Sequence, residues 1–418
     1  MRSRPVLALM AATAILSAAC SGATPSPSSG APTTAPTAGG PSASAAAGEP
    51  ITIGFAFAKS GFMQPFDDAA AAGAALAIED INKAGGAGGR QLKSISCDTK
   101  TDKAIAAQCA TDLIGQGADI IVPSCDFDFG GPAAIVAQQA NLITIGCVGS
   151  PKFGKQAIGP NAFNISTPSY GEGSHAAEWA NLEKGWKTAY MLTDTFIDYT
   201  KEVSSAFKTR FSELAGAGGI VGEDTFTNSD TSVAAQVSRI QALATKPDFI
   251  WIATCPPGGA SATRQIRAAG IDLPIMSNTC MDGEFWLASV PGLKDFFSND
   301  YICTFGSDPR AEVNAFYERF RATVDPAVAE GSAKFGAVGY SIIQAITAAV
   351  NKAGSTEADA LRTALESFSK EPTLLGPTTY SADLHYDPSR PMAIQEVKDG
   401  KQSCVTYWST QKPVVPAS

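Results

Sequence analysis

From Ile51 onward, short runs of apolar and β-branched residues alternate with amphipathic stretches of helical period. That rhythm limits the fold more than any other feature, because strand and helix alternating at this length require crossovers onto a parallel sheet. The first round predicts strands at 51–58, 91–97, 120–123 and 142–146, with helices at 68–84, 103–114 and 133–140. The rhythm then restarts. Strands at 188–192, 220–225, 249–253 and 274–277 alternate with helices at 173–182, 201–214, 232–244 and 261–269, so the chain is expected to form two lobes. Beyond them the pattern predicts a strand at 301–305, helices at 311–324, 333–353 and 357–369, and an antiparallel pair at 393–398 and 403–408 turning through Asp399 and Gly400. These late helices exceed what a second lobe needs. The chain is therefore expected to cross between lobes several times, near 163–168, 299–305 and 372–380.

The N-terminus bounds the compartment. Arg2 and Arg4 precede an apolar segment at 5–19 that ends in Ser17, Ala18 and Ala19 before Cys20. The segment is too short to span a bilayer, which takes roughly 20 apolar residues, and no later run is long enough either. It resembles a bacterial lipobox, with Leu16 one place early and Ser17 at the usual leucine position. Residues 1–19 then form a signal peptide and Cys20 becomes the lipidated first residue. The alternative is ordinary secretory cleavage that leaves Cys20 a free thiol; both readings export the protein. Residues 21–48 hold no charge and no aromatic ring, so they cannot order themselves and are expected to act as a tether with a span of roughly 30 Å. The formal net charge of -9, with no Lys/Arg cluster, argues against nucleic acid as a partner.

Of the nine cysteines, setting Cys20 aside leaves an even number in an exported chain, which points to disulfides. Sequential pairing is expected: Cys97 with Cys109, Cys125 with Cys147, Cys255 with Cys280, and Cys303 with Cys404. The second and third pairs join the ends of consecutive strands. Buried free thiols are the alternative. No CxxC pair exists and His175 and His385 are the only histidines, so no metal is expected.

Other motifs reduce to structure. The run Gly85-Gly86-Ala87-Gly88-Gly89 follows a helix and precedes a strand, the reverse of a dinucleotide loop, so it reads as a helix end and no cofactor is expected. Gly171-Glu172-Gly173-Ser174-His175 lacks the spacing of a nucleophile elbow. His175 reads as a surface residue in the first turn of a helix, and Asp98 as a side chain tying down its own loop.

The stretch Gly54-Phe55-Ala56-Phe57-Ala58-Lys59-Ser60-Gly61, then Gly73, Ile81-Asn82-Lys83-Ala84-Gly85-Gly86, Gly89 and Asp98 resembles the opening of the leucine/isoleucine/valine-binding protein family. The likeness continues through Asp194, Tyr199, the strand at 249–253 and Arg267-Ala268-Ala269-Gly270, to about residue 410. It implies an α/β fold of periplasmic-binding-protein type I: two lobes, each a parallel sheet flanked by helices, joined by three crossovers. It also implies a monomer that delivers a small solute to the permease of an ABC importer. On this reading residues 49–165 and 305–373 form lobe 1, 166–304 and 374–413 form lobe 2, and 414–418 is a tail. A ligand-sensing receptor for a membrane signalling protein is the alternative; an extracytoplasmic hydrolase or lyase has no nucleophile, base and orienter that the sequence brings together.

Ligands of open parallel sheets lie beyond the strands' carboxyl ends. In the first lobe that selects Ser60, Phe62, Met63 and Gln64, then Asp126, Phe127, Asp128 and Phe129, then Gly149 and Ser150. In the second it selects Tyr170, Phe196, Asp198 and Tyr199, then Pro256, then Asn278 and Thr279. By resemblance, hydroxyls and backbone donors past the third and fourth strands of the first lobe hold the carboxylate of an amino-acid ligand. Ser150 occupies one of those places, but Asp126 and Asp128 occupy the other, where they would repel a carboxylate unless turned away or protonated. Thr279 stands near the place of the acid that meets a ligand amine, with Asp282 close by. A simple branched-chain amino acid is therefore not the expected solute. Two readings of 126–129 stay open: acids and rings that meet a cationic, amide-rich or hydroxylated solute, or a phenylalanine packed into the lobe and acids that cap a helix beginning near Pro132.

Overall fold

The computed structural model describes residues 48–415; the signal segment, Cys20, nearly all of the tether and the last three residues lie outside them. The first half of the chain runs β1 (Ile51–Phe57), α1 (Gln64–Lys83), β2 (Leu92–Asp98), α2 (Lys103–Gly115), β3 (Ile120–Pro123), α3 (Phe127–Gln139), β4 (Ile143–Gly146) and β5 (Ala162–Asn164). These strands pair in parallel in the order β2-β1-β3-β4-β5. A second sheet follows from α4 (Ser169–Glu178), β6 (Ala189–Asp194), α5 (Asp198–Ala215), β7 (Ile220–Phe226), α6 (Ala234–Ala242), β8 (Phe249–Ala253), α7 (Gly258–Ala268), β9 (Ile275–Ser277) and β10 (Phe296–Asp300). Next come α8 (Ala311–Thr323), α9 (Pro326–Ala329), α10 (Lys334–Ala353) and α11 (Ala358–Glu366), and then β11 (Met392–Lys398) and β12 (Lys401–Trp408). The second sheet reads β12-β11-β10-β9-β8-β6-β7, with β11 and β12 antiparallel at one edge.

Helices α10 and α11 pack on the first sheet, although they follow the strands of the second. The chain thus passes between halves after β5, after β10 and after α11. Burial follows position in the sheet. Central strands β3, β4 and β8 are buried at every residue, as a parallel sheet covered on both faces requires, whereas edge strands β2 and β7 keep several side chains exposed.

Backbone approach decides the packing of α1 on α10. A methyl group at Gly73 would lie 1.7 Å from the Gly336 carbonyl oxygen, and one at Gly339 would lie 1.9 Å from that of Ala70. The glycine run ends α1 as expected: Gly85 and Gly86 adopt φ of 107° and 86°, and Gly86 N–H donates to Ile81 O at 2.8 Å.

Four expectations need correction. The strand expected at 301–305 lies upstream as β10; its Ser298, Asn299 and Asp300 are poor strand formers that become tolerable because their side chains bond to buried partners. Helix α3 begins at Phe127 rather than near Pro132, capped by Asp126, whose Oδ1 accepts from Asp128 N–H at 2.8 Å. Strand β5 carries too little pattern to be read. His175 is no surface residue: it is fully buried with Nδ1 2.7 Å from Gly171 O, and burial pushes its imidazole down to about 4.

Candidate functional site

The loops beyond β1, β3 and β4 face those beyond β6, β9 and β10 across a cavity of about 30 Å³. It is lined by Phe62, Phe66, Phe335, Tyr199 and Tyr301, with Asp126 among them. Phe62 and Phe66 also border a wider groove of about 540 Å³ that runs outward past Pro256 and Trp286. Two cysteine pairs lie beside the cavity, one in each half. Cys125 and Cys147 have α-carbons 4.6 Å apart, and Cys255 and Cys280 are 4.9 Å apart, within the span a disulfide bridges. Cys97 and Cys109 at 5.5 Å, and Cys303 and Cys404 at 5.3 Å, meet the same condition elsewhere.

Tyr199 enters from the first turn of α5, because Ile197 and Tyr199 turn inward while Phe196 stays partly exposed. Its hydroxyl lies 2.9 Å from both carboxyl oxygens of Glu172 and 2.9 Å from Thr279 Oγ1, and accepts from Asn278 Nδ2 at 3.0 Å. The Thr279 N–H donates to the same Glu172 at 2.6 Å. Full burial nonetheless pushes the Glu172 carboxyl up to about 8, against the lowering effect of these donors. Across the cavity, burial and the nearby Asp128 charge push Asp126 up to about 7.

The two halves touch each other directly. A side chain at Gly149 would meet the Tyr199 ring, with 2.3 Å between its β-carbon and Cδ2. Lys152 Nζ lies 2.7 Å from Asp198 and 3.3 Å from Glu202, holding the Asp198 carboxyl down to about 2. Ser150 Oγ donates to Glu202 at 3.0 Å, Asp198 N–H donates to Asp128 Oδ2 at 3.0 Å, and the rings of Phe62 and Phe196 meet edge-on at 5.2 Å.

Of the residues selected from sequence, Phe62, Met63, Asp126, Gly149, Tyr199 and Thr279 come together at the cavity. Asp128, Ser150, Phe196 and Asp198 bridge the halves at its rim instead. Asn278 stands behind Tyr199, and Pro256 borders the outer groove. Ser60 and Gln64 are exposed, and Tyr170 is half-buried away from the wall. Phe127 packs into the first half with Val148 and Phe153, and Phe129 tilts against Phe62 at 6.4 Å. Asp282 turns to Ser332 and Lys334, so it is not free for a ligand amine. Phe66, Tyr301 and Phe335 escaped sequence reading because they lie on a helix, beside a misplaced strand, and on a late helix. For Glu172 a signal existed: a carboxylate set between Gly171 and Gly173, whose α-carbons admit no side chain against Pro388 and Val203.

Opposed strand ends around a closable cavity match a known architecture, and residues 50–402 fit the family model described as periplasmic binding protein. The chain belongs to this family. The Leu/Ile/Val-binding protein BraC3 of Rhizobium johnstonii is 25% identical over 336 residues, spanning 79% of this chain and 87% of that protein. An amino acid binding protein of Pseudomonas aeruginosa is 27% identical over 318 residues, spanning 73% and 80%. Two solved structures share the fold. The branched-chain amino acid transporter substrate binding protein LivJ of Streptococcus pneumoniae, in complex with isoleucine, has a TM-score of 0.73 at 22% identity and covers 85% of this chain and 99% of its own. A solute binding protein of R. palustris in complex with benzoate has a TM-score of 0.71 at 20% identity, covering 87% and 99%. Like its family, this periplasmic binding protein captures a solute between two lobes.

Proposed function

We propose that this periplasmic binding protein is the lipid-anchored receptor of an ABC importer of the branched-chain amino acid and amide type, tethered through Cys20 and handing its solute to membrane permease subunits. Residues 49–165 with 305–373 form one jaw, and 166–304 with 374–413 the other. Phe62, Asp126, Gly149, Tyr199 and Thr279 contact the solute, while Ser150, Phe196 and Asp198 hold the jaws together at the rim. The four cysteine pairs are oxidised in the exported protein; those at Cys125 and Cys255 fix the loops that carry the site. The protein binds and releases without changing its solute.

The observation that carries this reading is the meeting of Gly149 with Tyr199. One residue without a side chain, on a loop of the first half, admits a ring from the second, and the ring is anchored by its hydroxyl. Closure therefore depends on the absence of a β-carbon there. Hinge closure around a solute presents the permease with a shape distinct from the open form.

Thermal shift across amino acids, amides, polyamines, aromatic acids and sugars tests it. A solute at a hundredfold excess over its Kd stabilises the folded state by about 2.7 kcal/mol. We expect Gly149→Ala, compared with its own solute-free state, to lose both the solute-induced rise in Tm and the solute-induced compaction seen by small-angle scattering. A wild-type response from this variant, or no responding solute at all, would sink the reading.

A further inference from the structure

Resting on the reading of this cavity as the solute site, we propose that its solute is an organic ammonium ion, held by an aromatic cage and one carboxylate, with no carboxylate of its own. Phe62, Phe66, Phe335, Tyr199 and Tyr301 all border the cavity, and among the described residues Asp126 is the one acidic residue that lines it. Ring faces attract a cation through their quadrupoles, by about 2 kcal/mol or more when the cation is desolvated, and quaternary ammonium groups are bound by such cages.

The charge around the cavity points the same way. Among the described residues, no arginine or lysine lines it. Two buried cations lie near Tyr301: Lys334, with Nζ 5.7 Å from the Tyr301 ring centroid and 5.4 Å from that of Phe335, sits 3.2 Å from Asp282 and 3.1 Å from Asp300, so this trio adds no positive charge, and Arg390 donates to the Ile165 carbonyl and faces the Asp387 charge. Glu172 lies behind Tyr199. Lys152, at the rim, is held by Asp198 and Glu202.

Hydrogen-bond donors beside the cavity are taken by the protein's own acids. Asp126 occupies the N-terminus of α3, accepting from Asp128 N–H. Glu202 accepts from Ser150 Oγ at 3.0 Å and from Ser169 Oγ at 3.1 Å. An anionic or zwitterionic solute would have to displace one of these carboxylates and then lie beside it. A cation meets the opposite situation: it relieves the cost of burying Asp126 in its charged form, a cost visible in the rise of that carboxyl to about 7 by burial.

Calorimetry with named probes decides the matter. Choline and tetramethylammonium supply the cation; 3,3-dimethylbutan-1-ol is the neutral carbon isostere of choline; leucine, isoleucine and benzoate supply the zwitterions and the anion. We expect choline to bind at least tenfold more tightly than its neutral isostere, and Asp126→Asn to remove that preference. Asparagine is as good an N-cap as aspartate, so the variant keeps α3 and its Tm without solute. Phe62→Leu, at a half-buried position, should weaken choline at least fivefold and leave the neutral isostere less affected. No binding by either ammonium ion, equal binding of choline and its isostere, or unchanged choline affinity in Asp126→Asn would overturn the inference. Tight binding of leucine or benzoate without ammonium binding would also overturn it, while leaving solute capture between the lobes intact.

Discussion

Glu172 binds its proton more tightly in the folded protein than in the unfolded chain, because burial lifts its carboxyl from an ordinary value of 4.5 to about 8. The sign follows from proton linkage. A carboxyl whose folded value is raised contributes its full stability below the unfolded value, and that contribution is lost as pH rises through the folded value. Stability from this residue is therefore complete below about pH 4.5 and gone above about pH 8. At about 1.4 kcal/mol for each tenfold change in proton affinity, the loss is of the order of a few kcal/mol. Urea midpoints measured at pH 5, 7 and 9 should fall in the wild type and stay flatter in Glu172→Gln, which keeps the side chain's size. Parallel profiles in the two proteins would show that Glu172 does not titrate in this window. The residue was visible in the sequence, but its role was not: only the fold brings Tyr199 and Thr279, distant along the chain, onto its carboxyl.

Between elements, the tightest contact is α1 on α10, made backbone to backbone through Gly73, Gly336 and Gly339. Gly339→Ala forces a methyl group onto the Ala70 carbonyl, and overpacking of this kind costs about 1–3 kcal/mol or more. Gly115→Ala, at the exposed end of α2 with nothing within 4 Å, should be neutral or stabilising by up to about 1 kcal/mol through helix propensity. Urea midpoints of the two variants should therefore move in opposite directions; a neutral Gly339→Ala would mean that the helices can separate without cost. Elements were legible where period and burial agree. Strand β8 reads directly from Phe249-Ile250-Trp251-Ile252-Ala253, all buried. Strand β10 lacks a local signal because Asn299 donates to the Glu172 backbone carbonyl and Asp300 accepts from Lys334, both far away in sequence. Helix α3 was started late because Pro132 reads as a boundary, yet the helix continues through it with Gly130, Gly131 and Ala133 buried.

For the whole molecule, the anchor proposed at Cys20 and the folded body are separable in a testable way. Cys20→Ala should move the protein from the membrane fraction to the soluble extracytoplasmic fraction, with the Tm of the folded body unchanged; retention in the membrane fraction would exclude Cys20 as the attachment point. The sequence alone determined the two-round α/β rhythm and which loops follow the strands' carboxyl ends, since both depend on local composition and period. Tertiary structure decided which of those loop residues meet. It gathered Tyr301 and Phe335 from the late chain, turned Asp282 away to Lys334, and set Glu202 on Ser150. These are contacts between residues far apart in the chain, fixed by how two sheets face each other, and no local pattern encodes that distance.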